Sequence, residues 1–345
     1  LSITTHQRPG VYSDYEASGV VRGGSGGLVG LAAVSEAEET KLVTGSEQAA
    51  AAYGAGSAMA RLCELALGNG ARGVVCAPVV DGDYESAFEG LCRREDIAVM
   101  VCDSTDTAVQ QLLKQKVEQA GALRRERIAV VGGAADEGVE ALVERAAGLN
   151  SERMVLAAPG AVDETGQGLS GVEVAAAVAG AVAGQSDPAV PLGGAVLKGL
   201  YGLSGAYTDG ELDLLILGGV TPVEEVGGTV SVVRAVTTRT TTAGVQDPTW
   251  RELSTVLIID RVIPTLRNTL RSKFRRAKNT PRGRGAIRAQ VVLELENFLA
   301  REIITAYEGV SVTADESDPT RAIVEFSFTV AHGLNQIWLR AHISV

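Results

Sequence analysis

The sequence predicts an α/β fold, and three observations lead there. Between about residues 46 and 160, short Val/Ile/Ala-rich runs alternate with segments of helical period. That alternation is the pattern of a parallel sheet covered by helices. The end of the chain then changes to strict period-two patterning, which marks strands with one buried face.

Residues 1–22 show little core pattern; with Pro9-Gly10, Tyr12 and Tyr15 they read as an extended arm. Glycines 23, 24, 26 and 27 follow, and Leu28 to Val34 reads as a buried strand. Helix and strand then alternate: helix 57–68 and strand 73–79, helix 83–93 and strand 96–102, helix 106–121 and strand 127–131, helix 136–148 and strand 153–157. A further helix fits 170–183, and Pro188, Pro191 and five glycines make 185–207 a loop and domain exit. Thr208 is placed to cap a short helix over 209–217, and strands fit 220–225 and 229–236 around Gly227-Gly228.

Asp247-Pro248 reads as the start of a long helix, with Asp as cap and Pro at the first helical position. Leu253, Leu257, Ile263, Leu266 and Leu270 would face inward, with a kink near Pro264. Pro281-Arg-Gly-Arg-Gly285 is expected to break that helix, and Ile287, Val291, Leu295 and Phe298 mark a second one. Ala322, Val324, Phe326, Phe328 and Val330 then alternate with Ile323, Glu325, Ser327 and Thr329. A second alternating run carries Ile337, Leu339, Ala341, Ile343 and Val345 to the last residue. Chain ends fray unless something pairs with them, so this run calls for a sheet in its own chain or in a neighbour.

The 345 residues are 46% hydrophobic but only 4% aromatic, so the core is built from small aliphatic side chains. No uncharged apolar run reaches the roughly 18 residues of a membrane span; Gly171 to Gly184 is alanine-rich, interrupted by Glu173, and reads as a buried helix. The start of the chain lacks the basic and apolar regions of a signal peptide. Cys63, Cys76, Cys92 and Cys102 form no C-x-x-C pair and read as reduced, packed thiols.

Charge is unevenly distributed. The chain carries 31 basic and 42 acidic residues, a net of −11. Arg267, Arg271, Lys273, Arg275, Arg276, Lys278, Arg282, Arg284 and Arg288 fall in one stretch without an acid, which leaves 22 basic against 42 acidic groups elsewhere, or −20. Such a segment repels itself unless an anionic surface lies opposite. A solvated face needs fewer cations. Nucleic acid fits poorly, since only Phe274 interleaves and the overall charge opposes a polyanion. An acidic protein surface fits best.

Motifs for chemistry are weak. Gly23-Gly24-Ser25-Gly26-Gly27 matches G-x-S-x-G formally, but a strand follows the serine where a nucleophile elbow needs a helix. The three histidines, His6, His332 and His342, lie in the terminal segments. Val130-Val-Gly-Gly-Ala134 lacks dinucleotide-binding spacing and reads as a tight turn; no P-loop or metal-ligand spacing is present. Asp81, Asp83 and Asp103 lie near strand ends, where helix capping is the simpler role.

Several features in order resemble the contractile tail sheath proteins of phages and phage-tail-like bacteriocins. They are Arg8-Pro-Gly-Val-Tyr12; the stretch from Pro191 to Ile216 with Gly199-Leu-Tyr-Gly-Leu203, followed by Leu212 to Val220; Val233 to Thr240, Trp250 to Leu253 and Ile259-Asp-Arg261; and the closing pair of alternating strands. The resemblance implies an α/β protein with a tail-sheath-like core at 23–45 and 190–333, an inserted outer α/β domain at 46–189, and extended β-arms at 1–22 and 334–345. It implies a structural, non-enzymatic subunit without cofactor. Six-fold rings of copies would stack helically around an acidic tail tube, between baseplate and terminator proteins, with no direct nucleic acid and no membrane insertion. Such a subunit would be made in the bacterial cytoplasm and act in a virion or a phage-tail-like particle. On this resemblance Ile3, Val11, Tyr12, Val20, Ile337, Leu339, Ala341 and Ile343 belong to strand-exchanging arms, Gly23, Gly24, Gly26 and Gly27 to a hinge, and the nine basic residues to the tube-facing surface. An α/β enzyme, a nucleic-acid-binding structural protein and another self-assembling tube or shell remain the alternatives.

Overall fold

The computed structural model describes residues 27–342, apart from residues 38 and 136. Its centre is one eight-stranded sheet made of β1 (Leu28–Val34), β2 (Lys41–Val43), β3 (Gly73–Val79), β4 (Ile97–Cys102), β5 (Ile128–Gly132), β6 (Met154–Ala158), β7 (Val220–Val226) and β8 (Thr229–Val232). The spatial order is β2-β3-β1-β4-β5-β6-β7-β8. The six inner strands run parallel, and β2 and β8 lie antiparallel at the edges.

The accompanying helices are α1 (Ser46–Tyr53), α2 (Ala58–Gly68), α3 (Tyr84–Cys92), α4 (Thr107–Ala122), α5 (Val139–Leu149), α6 (Val172–Gly184) and α7 (Asp209–Leu217). α1, α2 and α6 cover one face of the sheet; α3, α4, α5 and α7 cover the other. Period two sorts each strand between the two cores: Val29, Leu31 and Ala33 of β1 enter the first, Leu28 and Ala32 the second. The alanine-rich α6 is buried nearly all round and packs against α2. A Cβ at Gly180 would overlap the Ala66 carbonyl, so glycine there sets how closely the two helices approach.

A second unit follows. After a small hairpin of β9 (Thr241–Thr242) and β10 (Val245–Gln246) come α8 (Leu253–Phe274), α9 (Pro281–Ala300), β11 (Ile304–Ala314) and β12 (Ala322–Val330). Leu253 and Val256 at the start of α8 belong to the first core of the sheet. Further along, Ile258, Val262 and Leu266 form a third core with Val291, Leu295 and Phe298 of α9 and with Ile303 and Ile304. Two ion pairs at the N-terminal edge of the sheet tie α8 to it, Arg153 with Asp260 ahead of β6 and Arg267 with Glu126 ahead of β5.

Several expectations need correction. The sheet runs across both boundaries expected at 45/46 and 189/190, because β1 inserts between β3 and β4 and β7 adds beside β6. Local pattern shows that a strand is buried but not which strands flank it. The long helix starts at Leu253, not at Asp247-Pro248. Asp247 instead accepts from Thr249 N at 3.0 Å and Thr242 Oγ1 at 2.7 Å, which closes a turn beside β9. Residues 281–285 do not break a helix but begin one. Pro281 takes the first position of α9, and Thr280 Oγ1 caps it by accepting from Gly283 N. The inward stripe of α8 runs through Val256 and Val262, with Ile263 only half-buried. Finally, β12 pairs with β11, a strand the sequence reading did not place.

Candidate assembly surfaces

β11 and β12 form a two-stranded antiparallel sheet of their own, from Ile304↔Val330 to Ala314↔Ala322. Among the described residues no third strand joins either edge, so each presents a row of open backbone donors and acceptors. One face packs on the third core through Tyr307, Val310, Val324, Phe326, Phe328 and Val330, but all six stay half-buried. The register shifts between Ile304 and Ala306 and between Glu308 and Ser311, where Gly309 takes φ 67°. These irregularities break the period-two pattern of β11 and hide it from a sequence reading.

Beyond β12 the chain is tied by Ala331 N donating to Ile303 O at 3.2 Å and by Asn335 Nδ2 donating to Glu252 Oε2 at 3.4 Å. Residues 331–342 then form no strand. Leu334, Ile337, Trp338 and Leu339 are 75, 81, 90 and 93% exposed. Both faces of this alternating run therefore meet solvent, and among the described residues no strand of its own subunit pairs with Ile337, Leu339 and Ala341. Four large apolar side chains on one bare segment make a surface for a partner. Ile3, Val11, Tyr12, Val20 and Ile343 lie outside the described residues, as do Gly23, Gly24 and Gly26. Gly27 is held by both its backbone groups: its N–H donates to Ala183 O at 2.6 Å, and its carbonyl accepts from Arg72 N at 3.2 Å.

The basic stretch covers the end of α8, the turn at 275–280 and the first turns of α9. Arg267 is spent inside the subunit on Glu126, with contacts of 2.6 and 3.1 Å. Arg284 donates to Asn279 Oδ1, Arg288 to Val310 O and Lys273 to Gln290 Oε1. Arg271, Lys273, Arg275, Arg276, Lys278, Arg282, Arg284 and Arg288 form no ion pair among the described residues, and all but Arg284 are exposed. Arg271 and Lys273 suit the negative end of the α8 dipole, but Arg282 and Arg284 lie in the first turn of α9, where a dipole disfavours cations. Helix stability does not account for that placement.

The residues considered for chemistry have structural roles. Asp83 caps α3 by accepting from Ser86 N. Asp103 accepts from Val34 N at 2.7 Å and Tyr84 Oη at 2.6 Å, which engages both its oxygens at the crevice between β1 and β4. The neighbouring strand order is that of a flavodoxin-like sheet, whose ligands bind at this switch point. Asp81 sits in a tight turn at φ 52°. Ala134 N, the amide of the Gly132-Gly133 turn, donates to Glu137 Oε2, and Arg145 holds that carboxylate. Ser25 lies outside the described residues. Among the described residues no group of His, Cys, Asp and Glu is arranged to hold a metal, and no helix is long and apolar enough to cross a membrane. Cys63 and Cys76 meet sulfur to sulfur at 3.0 Å in the core. The hydrogen bond between these thiols and their burial push Cys76 up, and burial pushes Cys102 up to about 12, so both stay protonated.

Comparison with known proteins agrees with this arrangement. Residues 77–238 match the phage tail sheath protein central domain, and residues 245–344 match the phage tail sheath C-terminal domain. The tail sheath protein of Bacillus phage SP01 is 30% identical over 261 residues, 72% of this chain; the chain spans 43% of that protein. The sheath tail protein of Desulfitobacterium hafniense superposes with a TM-score of 0.68 at 13% identity, over 93% of this chain and all of that one. The helical sheath of the anti-feeding prophage in its contracted state gives 0.74 at 13% identity, over 99% of this chain and all of that one. The two domain matches follow one another in order and take in β4 to β8 of the sheet, the two long helices and the β11–β12 hairpin: the chain belongs to the phage tail sheath family.

Proposed function

We propose that the chain is a structural subunit of a contractile tail sheath, which polymerises around a tail tube and contracts to drive it through a target envelope. The observation that carries this reading is the hairpin with two open edges, followed by a bare apolar segment, in a chain of the sheath family. Strands from neighbouring copies fit those edges: the C-terminal run with Ile337, Leu339, Ala341 and Ile343, and the N-terminal arm with Ile3, Val11, Tyr12 and Val20. Backbone hydrogen bonds would link the chains and alternate side chains would set the register. An arm of about 20 extended residues reaches roughly 60 Å, far enough for another subunit. Because such a contact runs head to tail and does not close on itself, it builds rings stacked as a helix.

The eight cations outside the Glu126 pair are the proposed tube-facing surface, set against an acidic tube. Each exposed pair would contribute about 0.2–1 kcal/mol, so many together hold the extended form and still release cooperatively. Contraction then switches between two packings of nearly rigid subunits, with baseplate and terminator proteins at the ends. The energy lies in the lattice, with no catalytic step in the subunit. The particle is a virion or phage-tail-like bacteriocin, its subunits made in the bacterial cytoplasm. Electron microscopy of the purified chain tests this directly. Tubes, rings or cylinders are expected; a monodisperse monomer at high concentration, with both termini intact, contradicts it.

A further inference from the structure

Cys63 on α2 and Cys76 on β3 are both fully buried in the first core of the sheet, and their sulfurs lie 3.0 Å apart. That separation is about 1 Å longer than a disulfide bond, so closing it asks only for small side-chain rotations. The two residues are 13 apart in sequence, on a helix and a strand that follow one another directly. The other two cysteines are engaged differently. Cys92 Sγ donates to Met100 Sδ and Lys116 O, both at 3.7 Å, and Cys102 Sγ donates to Ser104 O at 3.6 Å.

The pair also has a way to meet a small reagent. Tyr53, the last residue of α1, reaches it: its Oη donates to Cys76 O at 3.3 Å and to Glu39 O at 3.2 Å. α1 is eight residues long, buries only Ala49 and Tyr53, and starts after Gly45, which supplies no side-chain cap. An element with so few buried side chains opens locally well before the whole fold does. In the closed fold the bond between the thiols and their burial keep Cys76 protonated and inert. With α1 open, Cys76 meets solvent as an ordinary thiol.

We propose that Cys63 and Cys76 form a redox modification site, which hydrogen peroxide converts to a disulfide pinning α2 to β3. The Cys76 thiolate attacks one peroxide oxygen and the O–O bond breaks. Cys76 is left as a sulfenic acid, and the departing hydroxide takes the proton the thiol gave up, as water. The Cys63 sulfur then attacks the Cys76 sulfur, and the sulfenic hydroxyl leaves with the Cys63 proton as a second water. Two thiols thus lose two electrons and two protons, and the peroxide is reduced to water. A reducing cytoplasm keeps the pair as thiols, and oxidising surroundings close it. The crosslink fastens α2, on which α6 packs, to the sheet. The chemistry belongs to one chain and does not depend on assembly; its consequence, a subunit stiffened once the particle is outside the cell, rests on the sheath reading.

Mass spectrometry and thiol counting on the full chain test it. After exposure to hydrogen peroxide and removal of the excess with catalase, the intact mass should fall by about 2 Da. Maleimide in guanidinium should then label Cys92 and Cys102 but not the pair, and digestion should yield a peptide crosslinked between Cys63 and Cys76. The melting temperature should rise by about 5 °C or more, and dithiothreitol should return it. Cys76→Ala should lose both the mass change and the gain in melting temperature; where that variant fails to fold, the crosslink map of the unaltered chain decides alone. Four labelled cysteines after treatment would overturn the proposal. So would oxygen added to single sulfurs without pairing, a crosslink through Cys92 or Cys102, or a crosslink that forms only after the chain is denatured.

Discussion

Arg127 shows how much a single side chain decides at the residue scale. It is 1% exposed, among the most voluminous of the fully buried side chains, and has no carboxylate partner among the described residues. Its guanidinium donates instead to the carbonyls of Arg125, Leu91 and Arg94, at 3.2, 3.1 and 2.7 Å. Two of these carbonyls lie at the end of α3, where the helix dipole favours a cation. Arg127→Met would leave three buried carbonyls open, a cost of about 2–4 kcal/mol. Denaturant unfolding should show a lower midpoint with unchanged slope, and Arg127→Lys should recover only part of the loss because an ammonium lacks the planar fork. Little of this was legible in the sequence: an arginine just before a strand looks exposed, and only the approach of the end of α3 to its side chain encloses it. Asp260 is a similar case, since a lone acid on a long helix reads as solvated.

Elements were legible to the extent that their signals are local. The helices and strands between 58 and 184 follow from period, and α7 follows from its cap Thr208, whose capping box with Glu211 starts it. Elements defined by long-range pairing were not. β1 enters the middle of the sheet, which no neighbouring residue announces, and the bulge at Gly309 hides β11. The C-terminal run has the pattern of a strand but pairs with nothing among the described residues, because alternation records a buried face and not whose sheet buries it. Among the described residues, deleting 335–345 removes no core side chain, since Asn335 to His342 are all exposed. The truncated chain should therefore keep its melting temperature and circular dichroism while sedimenting as a subunit that no longer polymerises. Normal polymerisation after that deletion would remove the segment from the contact.

Over the whole molecule, charge segregation separates two kinds of surface. The subunit is acidic overall, at −11, yet eight cations without ion pairs among the described residues gather where α8 turns into α9. Reversing Arg271, Arg275 and Arg276 to glutamate should leave copies assembling with one another and weaken attachment to an acidic tube, most visibly at low salt, where screening is least. Co-sedimentation with tubes at two ionic strengths reads this out, and unchanged attachment would take the segment out of the interface. The sequence showed the cations as a run; the structure shows that Arg267 is engaged inside the subunit and that Arg282 and Arg284 are placed against the α9 dipole. The central claim is that each subunit leaves part of a sheet for its neighbours to complete. A cryo-electron microscopy map of the assembled particle tests it most directly. Density for added strands beside β11 and β12, traceable to the terminal segments of adjacent copies, is the predicted result; residues 331–345 folded back onto their own subunit, with both hairpin edges still open, would contradict it.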